Sequence, residues 1–196
     1  TPKLYRLLPD KNGSTYISLL HAVLNLFHSN NIFINPKYIT IDFEFAAINA
    51  IKLVFPNATI KGCNFHFNKC IYKKLQELGF QSSFINSTSN DPNGMNIREL
   101  YKKTCALAFM PQEEVRNLWV NVMDEFQNIE RINQFYDYVT STWIDDDALF
   151  HISLWNYFNF KSLRTNNNLE GGHYRLNNDL NHINHPFLYI YSCNPK

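Results

Sequence analysis

The chain has 196 residues, 45% of them hydrophobic, which suffices for one compact core with an insertion and excludes a disordered or fibrous chain. Lys and Arg total 18 against 17 Asp and Glu, so the net charge of +1 gives no global signature for nucleic acid or a membrane surface; any DNA contact must rest on a local patch or another module. The four cysteines, Cys63, Cys70, Cys105 and Cys193, are too sparse for a disulfide framework and fit a reduced, intracellular protein, and no run approaches the ~20 apolar residues of a membrane span. The first residues, Thr1-Pro2-Lys3-Leu4-Tyr5, have no signal-peptide layout and no initiator Met, which points to a fragment.

In chain order, Leu4 to Leu8 reads as a short strand closed by the turn chemistry of Pro9-Asp10-Lys11-Asn12-Gly13. Ser14 or Thr15 then caps a helix whose stripe is Ile17, Leu20, Leu24 and Phe27. Tyr38-Ile39-Thr40-Ile41 is aromatic and β-branched, reads as a buried strand, and delivers Asp42 at its carboxyl end. A helix with Ala47, Ile48, Ile51, Val54 and Phe55 inward follows, stopped by Pro56-Asn57 before a strand around Thr59-Ile60. Such a β-α-β unit implies parallel strands, whose carboxyl ends border the functional crevice in open α/β sheets.

Phe67, Ile71, Leu75 and Leu78 mark a helix from Asn64 ended by Gly79, and a Ser/Asn-rich surface loop is expected as far as Asn96. Helical spacing resumes over 97–109, after Pro111 through Phe126, and from about Ile129 to Trp143, with no convincing strand between. A last helix opens near Asn166-Asn167, shows Leu169, Leu176, Leu180 and Ile183 on one side, and ends at Pro186. The expected layout is therefore a first core part over 1–80, a mostly helical insertion over 81–160, and a C-terminal core helix within 161–196.

Three features could carry chemistry. Asp42, on rigid backbone at a strand end, suits a Mg²⁺ ligand, although on local sequence alone the commoner role of such an Asp is an ordinary helix N-cap. Glu44, two positions on, suits a solvated first helical turn. Glu170 lies early in the last helix, where the dipole favours a carboxylate with or without a task, and His173 shares its face. Cys63 and His66, in Gly62-Cys63-Asn64-Phe65-His66, stand one helical turn apart. A zinc site needs about four ligands; Cys70, His182 and His185 offer completions, but their order matches no standard finger spacing, so no structural zinc is expected. A nucleophilic Cys-His pair lacks any recognisable orienting group. The remaining reading is a buried Cys beside a hydrogen-bonded core His.

The ordered set Ile39-Thr40-Ile41-Asp42-Phe43-Glu44-Phe45-Ala46-Ala47-Ile48-Asn49-Ala50-Ile51, Phe55-Pro56 and Gly62-Cys63-Asn64-Phe65-His66 resembles the Mutator-like element (MULE) transposase domain. Arg164-Thr165-Asn166-Asn167 with Glu170 and His173 looks like that family's final carboxylate motif, and Ala108-Phe109-Met110-Pro111 and His185-Pro186 also resemble family features. The resemblance implies an α/β, RNase H-like fold, truncated at the N-terminus, with an all-helical insertion between the second and third acids of a D-D-E triad. Asp42 matches the second acid and Glu170 the third, both as catalytic residues and metal ligands; the first Asp lies upstream, since Asp10 falls in the loop after the missing strand. Cys63, His66, Arg164, Asn167 and His173 become supports of the acidic site or DNA contacts.

The implied activity is cut-and-paste transposition: phosphodiester cleavage and strand transfer assisted by two Mg²⁺ or Mn²⁺ ions about 4 Å apart. The implied partners are transposon-end and target DNA, with a homo-oligomer compatible with the family, no membrane, and a nuclear location. A chain lacking the first acid is expected to be inactive alone. The alternative is a domesticated derivative that binds DNA or regulatory partners without catalysis.

Overall fold

A computed structural model describes residues 8–85, 92–162 and 164 of the chain. The expected strand over Leu4–Leu8 therefore lies outside the described residues except for Leu8, which is in no strand, and the expected helix from Asn166 lies wholly outside them. Leu8–Thr165 forms one compact unit.

Asp10 organises the first turn. Its carboxylate accepts from the Asn12 amide (3.0 Å) and the Thr15 hydroxyl (2.5 Å), so helix α1 (Gly13–His28) starts at Gly13 behind Asn12 instead of at a Ser14 or Thr15 cap. The Thr15 hydroxyl and then the Asn12 amide hold this carboxyl below its ordinary pKa. At the other end Asn31 takes left-handed backbone (φ 56°), and the amides of Asn31 and Ile32 reach back to the carbonyls of His28 and Phe27, which closes the helix as a Schellman motif. The predicted stripe of Ile17, Leu20, Leu24 and Phe27 is half-buried, and α1 packs on α2.

Strand β1 (Tyr38–Ile41), helix α2 (Phe45–Val54) and strand β2 (Thr59–Gly62) form the expected β-α-β unit, with the strands parallel and Ile41 paired with Gly62. Ala47, Ile48, Ala50 and Ile51 are the buried face of α2, as the periodicity predicts, while Val54 and Phe55 are only half-buried. Helix α3 (Asn64–Glu77) buries Phe67, Ile71 and Leu75 and ends at Gly79 (φ 87°), where the Phe80 and Gly79 amides bond to the Leu75 and Gln76 carbonyls. A short α4 (Gln81–Ile85) follows.

Helix α5 (Pro92–Ala106) begins earlier than the loop expected through Asn96, because proline at a first helical position gives up only an amide that has no intrahelical partner. A 3₁₀ turn (Leu107–Phe109), α6 (Val115–Glu125), α7 (Asn133–Val139), a wider π-type stretch (Thr140–Ile144) and α8 (Ile152–Trp155) complete the described elements. These helices share one core with α2 and α3, centred on Trp119, Trp143 and Trp155. The Trp155 indole donates to the Trp143 and Phe150 carbonyls (3.1 and 3.2 Å), so its polar edge is satisfied inside that core. The architecture is α/β with helix dominant and, among the described residues, a two-stranded parallel sheet.

Two side chains fasten the sheet to the helices. Phe43, just beyond β1, meets Trp143 edge-on (4.8 Å between ring centroids) and Phe150 (5.1 Å). Lys61, on β2 and buried, donates to the carbonyls of Ser153 (2.6 Å) and Asn156 (2.7 Å) at the C-terminal end of α8, with the rings of Tyr157 and Phe160 within 6 Å. Burial lowers the pKa of this ammonium, and the two carbonyls offset part of the lost hydration.

Gly62 makes the first of these fastenings sterically possible, since a Cβ at that position would stand only 2.3 Å from two atoms of the Phe43 ring. Gly62→Ala is therefore expected to destabilise the chain by about 1–3 kcal/mol, the usual cost of overpacking, with part recovered when Phe43→Leu is added. Urea unfolding of the single and double variants checks this; additive losses would show that the ring is not what Gly62 accommodates.

Candidate active site

The register of the sheet builds the site. Because Ile41 pairs with Gly62, the next residues, Asp42 and Cys63, emerge side by side at the carboxyl ends of the two strands, and the Cys63 amide donates to the Ile41 carbonyl (2.7 Å). Cys63 is also the N-cap of α3, so His66 lies in the first turn of that helix and faces back toward Asp42. The His66 Nδ1 stands 2.9 Å from Asp42 Oδ1. Ligand-capable atoms of Asp42, Cys63 and His66 all lie within 4.8 Å of one another. Cys63 is fully buried and His66 nearly so, whereas the Asp42 side chain keeps 36% of its surface open to solvent.

Asp42 is not a helix cap. The N-cap of α2 is Glu44, with no side-chain capping bond, and the Asp42 carboxylate is turned to the imidazole. Glu44 is not a merely solvated first-turn residue either: it accepts from the Tyr16 hydroxyl (2.8 Å), pairs with Lys11 (3.6 Å), and so ties α2 to α1.

Burial opposes a charged imidazole at His66, but hydrogen bonding and charge from Asp42 and Cys63 outweigh it and raise the pKa from 6.5 to about 10. At neutral pH the imidazolium therefore forms an ion pair with the Asp42 carboxylate, its Nδ1 2.9 Å from Oδ1.

Arg164 approaches the same place by its backbone: its carbonyl accepts from the Asn64 amide (2.9 Å) at the start of α3, while its guanidinium lies 5.4 Å from the Phe109 ring. The structure thus brings Asp42, Cys63, His66 and the Arg164 carbonyl to one end of the parallel pair. Asn167, Glu170 and His173 lie outside the described residues, as do His182 and His185.

Sequence reasoning missed Phe43, Lys61 and Asn156. Asn156 is buried and links the end of α8 to the turn after α5, donating to the Leu107 (3.2 Å) and Met110 (2.7 Å) carbonyls. No local signal separates such a residue from a surface Asn. Gly62, a lone glycine in a strand, did carry a signal of close approach.

Because the folded pKa of His66 lies above its unfolded value, the stability it contributes is fully present below about pH 6.5 and is lost as pH rises through about 10. Metal-free wild type compared with His66→Gln by urea unfolding should show a stability gap that narrows between these limits. A gap constant across that range would mean that the imidazole is neutral throughout.

Comparison with curated proteins gives no match, and neither does comparison with solved structures. Residues 2–70, the stretch that carries β1, β2, Asp42, Cys63 and His66, match the family model of the MULE transposase domain.

Proposed function

We propose that this chain supplies the second and third acids, Asp42 and Glu170, of a D-D-E site for metal-dependent DNA cleavage and strand transfer on an RNase H-like scaffold, with the first Asp upstream. The observation that carries the reading is the placement of Asp42 in the MULE-matched stretch. It stands at the carboxyl end of a parallel strand, half-open to solvent and oriented by a buried imidazole. A catalytic carboxylate needs that combination of fixed geometry and access.

The donor chemistry fits a hard divalent cation. Mg²⁺ is commonly held by one or two carboxylates together with substrate phosphates, and Asp42 offers one such carboxylate with solvent access. Glu170 would offer the second. When bound, Mg²⁺ or Mn²⁺ would supply activation of a water or 3′-hydroxyl and stabilisation of the leaving oxygen. His66 holds the Asp42 carboxylate in one orientation, and the Phe43 anchor keeps its backbone from shifting under the pull of a charged ligand. Arg164, Asn167 and His173 are proposed as DNA contacts or supports of that acidic site.

The test is a nicking and strand-transfer assay on inverted-repeat ends with Mg²⁺ or Mn²⁺, using this chain and one extended upstream through the first Asp. The extended chain should be active and fall to background as Asp42→Asn or Glu170→Gln, while the present chain should be inactive. Equal activity in both, abolished by Glu170→Gln, would place the first acid inside this chain. An extended chain that binds DNA without cutting it would favour the domesticated, regulatory alternative.

A further inference from the structure

We infer that Asp42, Cys63 and His66 form an exchangeable binding site for one thiophilic divalent cation of the zinc kind, distinct in chemistry from the hard-cation role proposed for Asp42. The two histidine- and cysteine-based features that sequence spacing could compare with a zinc finger lacked ligands in any standard order; the third ligand comes instead from the neighbouring strand end.

The geometry favours this assignment. A tetrahedral zinc ion, with bonds of about 2.0–2.2 Å to nitrogen and oxygen and about 2.3 Å to sulfur, separates its ligand atoms by roughly 3.3–3.6 Å. The donor atoms here already lie within 4.8 Å of one another, with the closest nitrogen–oxygen pair at 2.9 Å, so shifts of about 1 Å or less would bring all three to coordination distance. The ligands are held from three directions: Asp42 behind β1, Cys63 behind β2, His66 on the first turn of α3. They are backed by the packing of Phe67 between Trp143 (5.0 Å) and Trp155 (4.8 Å).

The donor set decides the metal. One thiolate, one imidazole and one carboxylate suit Zn²⁺ or Co²⁺, whereas Mg²⁺ takes oxygen ligands. Three protein ligands with a fourth position open is the form of an accessible site, in contrast to the closed four-ligand form of a structural one, and the partly exposed Asp42 carboxylate gives the ion its way in. Binding displaces the thiol proton of Cys63 and the Nδ1 proton of His66 to solvent while Asp42 exchanges its imidazole partner for the metal. Where Asp42 also serves strand transfer, a point that rests on the function proposed above, zinc would compete for that carboxylate and inhibit.

Cobalt titration of the metal-free chain, without DNA, tests the site. One equivalent of Co²⁺ should produce thiolate-to-cobalt charge-transfer absorption in the near ultraviolet, removed by stoichiometric Zn²⁺ and retained in a large excess of Mg²⁺. Cys63→Ser should abolish the absorption with the far-ultraviolet circular dichroism unchanged. Asp42→Asn, a partly exposed position that leaves Cys63 and His66 in place, should keep the absorption but lower Co²⁺ affinity by roughly 10- to 100-fold or more, since even outer partners of a metal ligand contribute that much. No charge-transfer absorption, its survival in Cys63→Ser, its loss to Mg²⁺, or unchanged affinity in Asp42→Asn would each overturn the assignment. Because none of these readouts involves DNA, a failure here and a failure of the strand-transfer reading are separable.

Discussion

The insertion of the Phe43 ring between a two-stranded sheet and an aromatic helical core is the constraint on which the rest of the site depends. The β1–β2 pair, the sheet among the described residues, has little surface of its own to fix its position. Here one ring, immediately after β1, contacts Trp143 and Phe150, and a glycine on β2 leaves room for it. Edge-to-face contact with a buried indole fixes position and angle together. The residue before Phe43 is Asp42 and the residue after Gly62 is Cys63, so the two chemically active side chains inherit the rigidity of the contact next to them.

Lys61 complements this anchor with a polar one. An ammonium that loses water must regain hydrogen bonds, and the carbonyls at the end of α8 are oriented to provide them. The apolar anchor accordingly sets how β1 sits on the helices and the charged one sets β2. Between them stands the His66–Asp42 pair, which uses burial to strengthen an interaction that would be weak at an open surface.

Sequence pattern was sufficient for the β-α-β unit, the inward face of α2, the Gly79 stop, and most helices after residue 92, because these depend on periodicity and terminal residues that are local by nature. It left Asp42 open between cap and ligand. The cap is excluded by a carboxylate turned to a histidine 24 positions later, which only the parallel register brings within 2.9 Å. The start of α5 lies earlier than its sequence suggests because Asp-Pro-Asn-Gly suits a turn and a helix entrance alike, and Pro92 opens the helix. Lys61 and Asn156 were invisible for a different reason: their partners lie 92 and 95 positions away for Lys61 and 49 and 46 for Asn156, and nothing in their neighbourhood encodes their burial.

The bond between the Asn64 amide and the Arg164 carbonyl gives the topology a particular economy. The chain enters α3 at Asn64, travels about a hundred residues through the helices, and returns to within one hydrogen bond of its point of departure. The helical region is thus a closed excursion whose two described ends, Asn64 and Arg164, meet at the site. Closing a loop costs only about 0.6 kcal/mol more for each doubling of its length. Connections between the helices of the excursion can therefore gain or lose residues at small cost, so long as the docking partners of Phe43 and Lys61 survive. Size and surface of the helical excursion are free to diverge while the strand-end chemistry stays where it is.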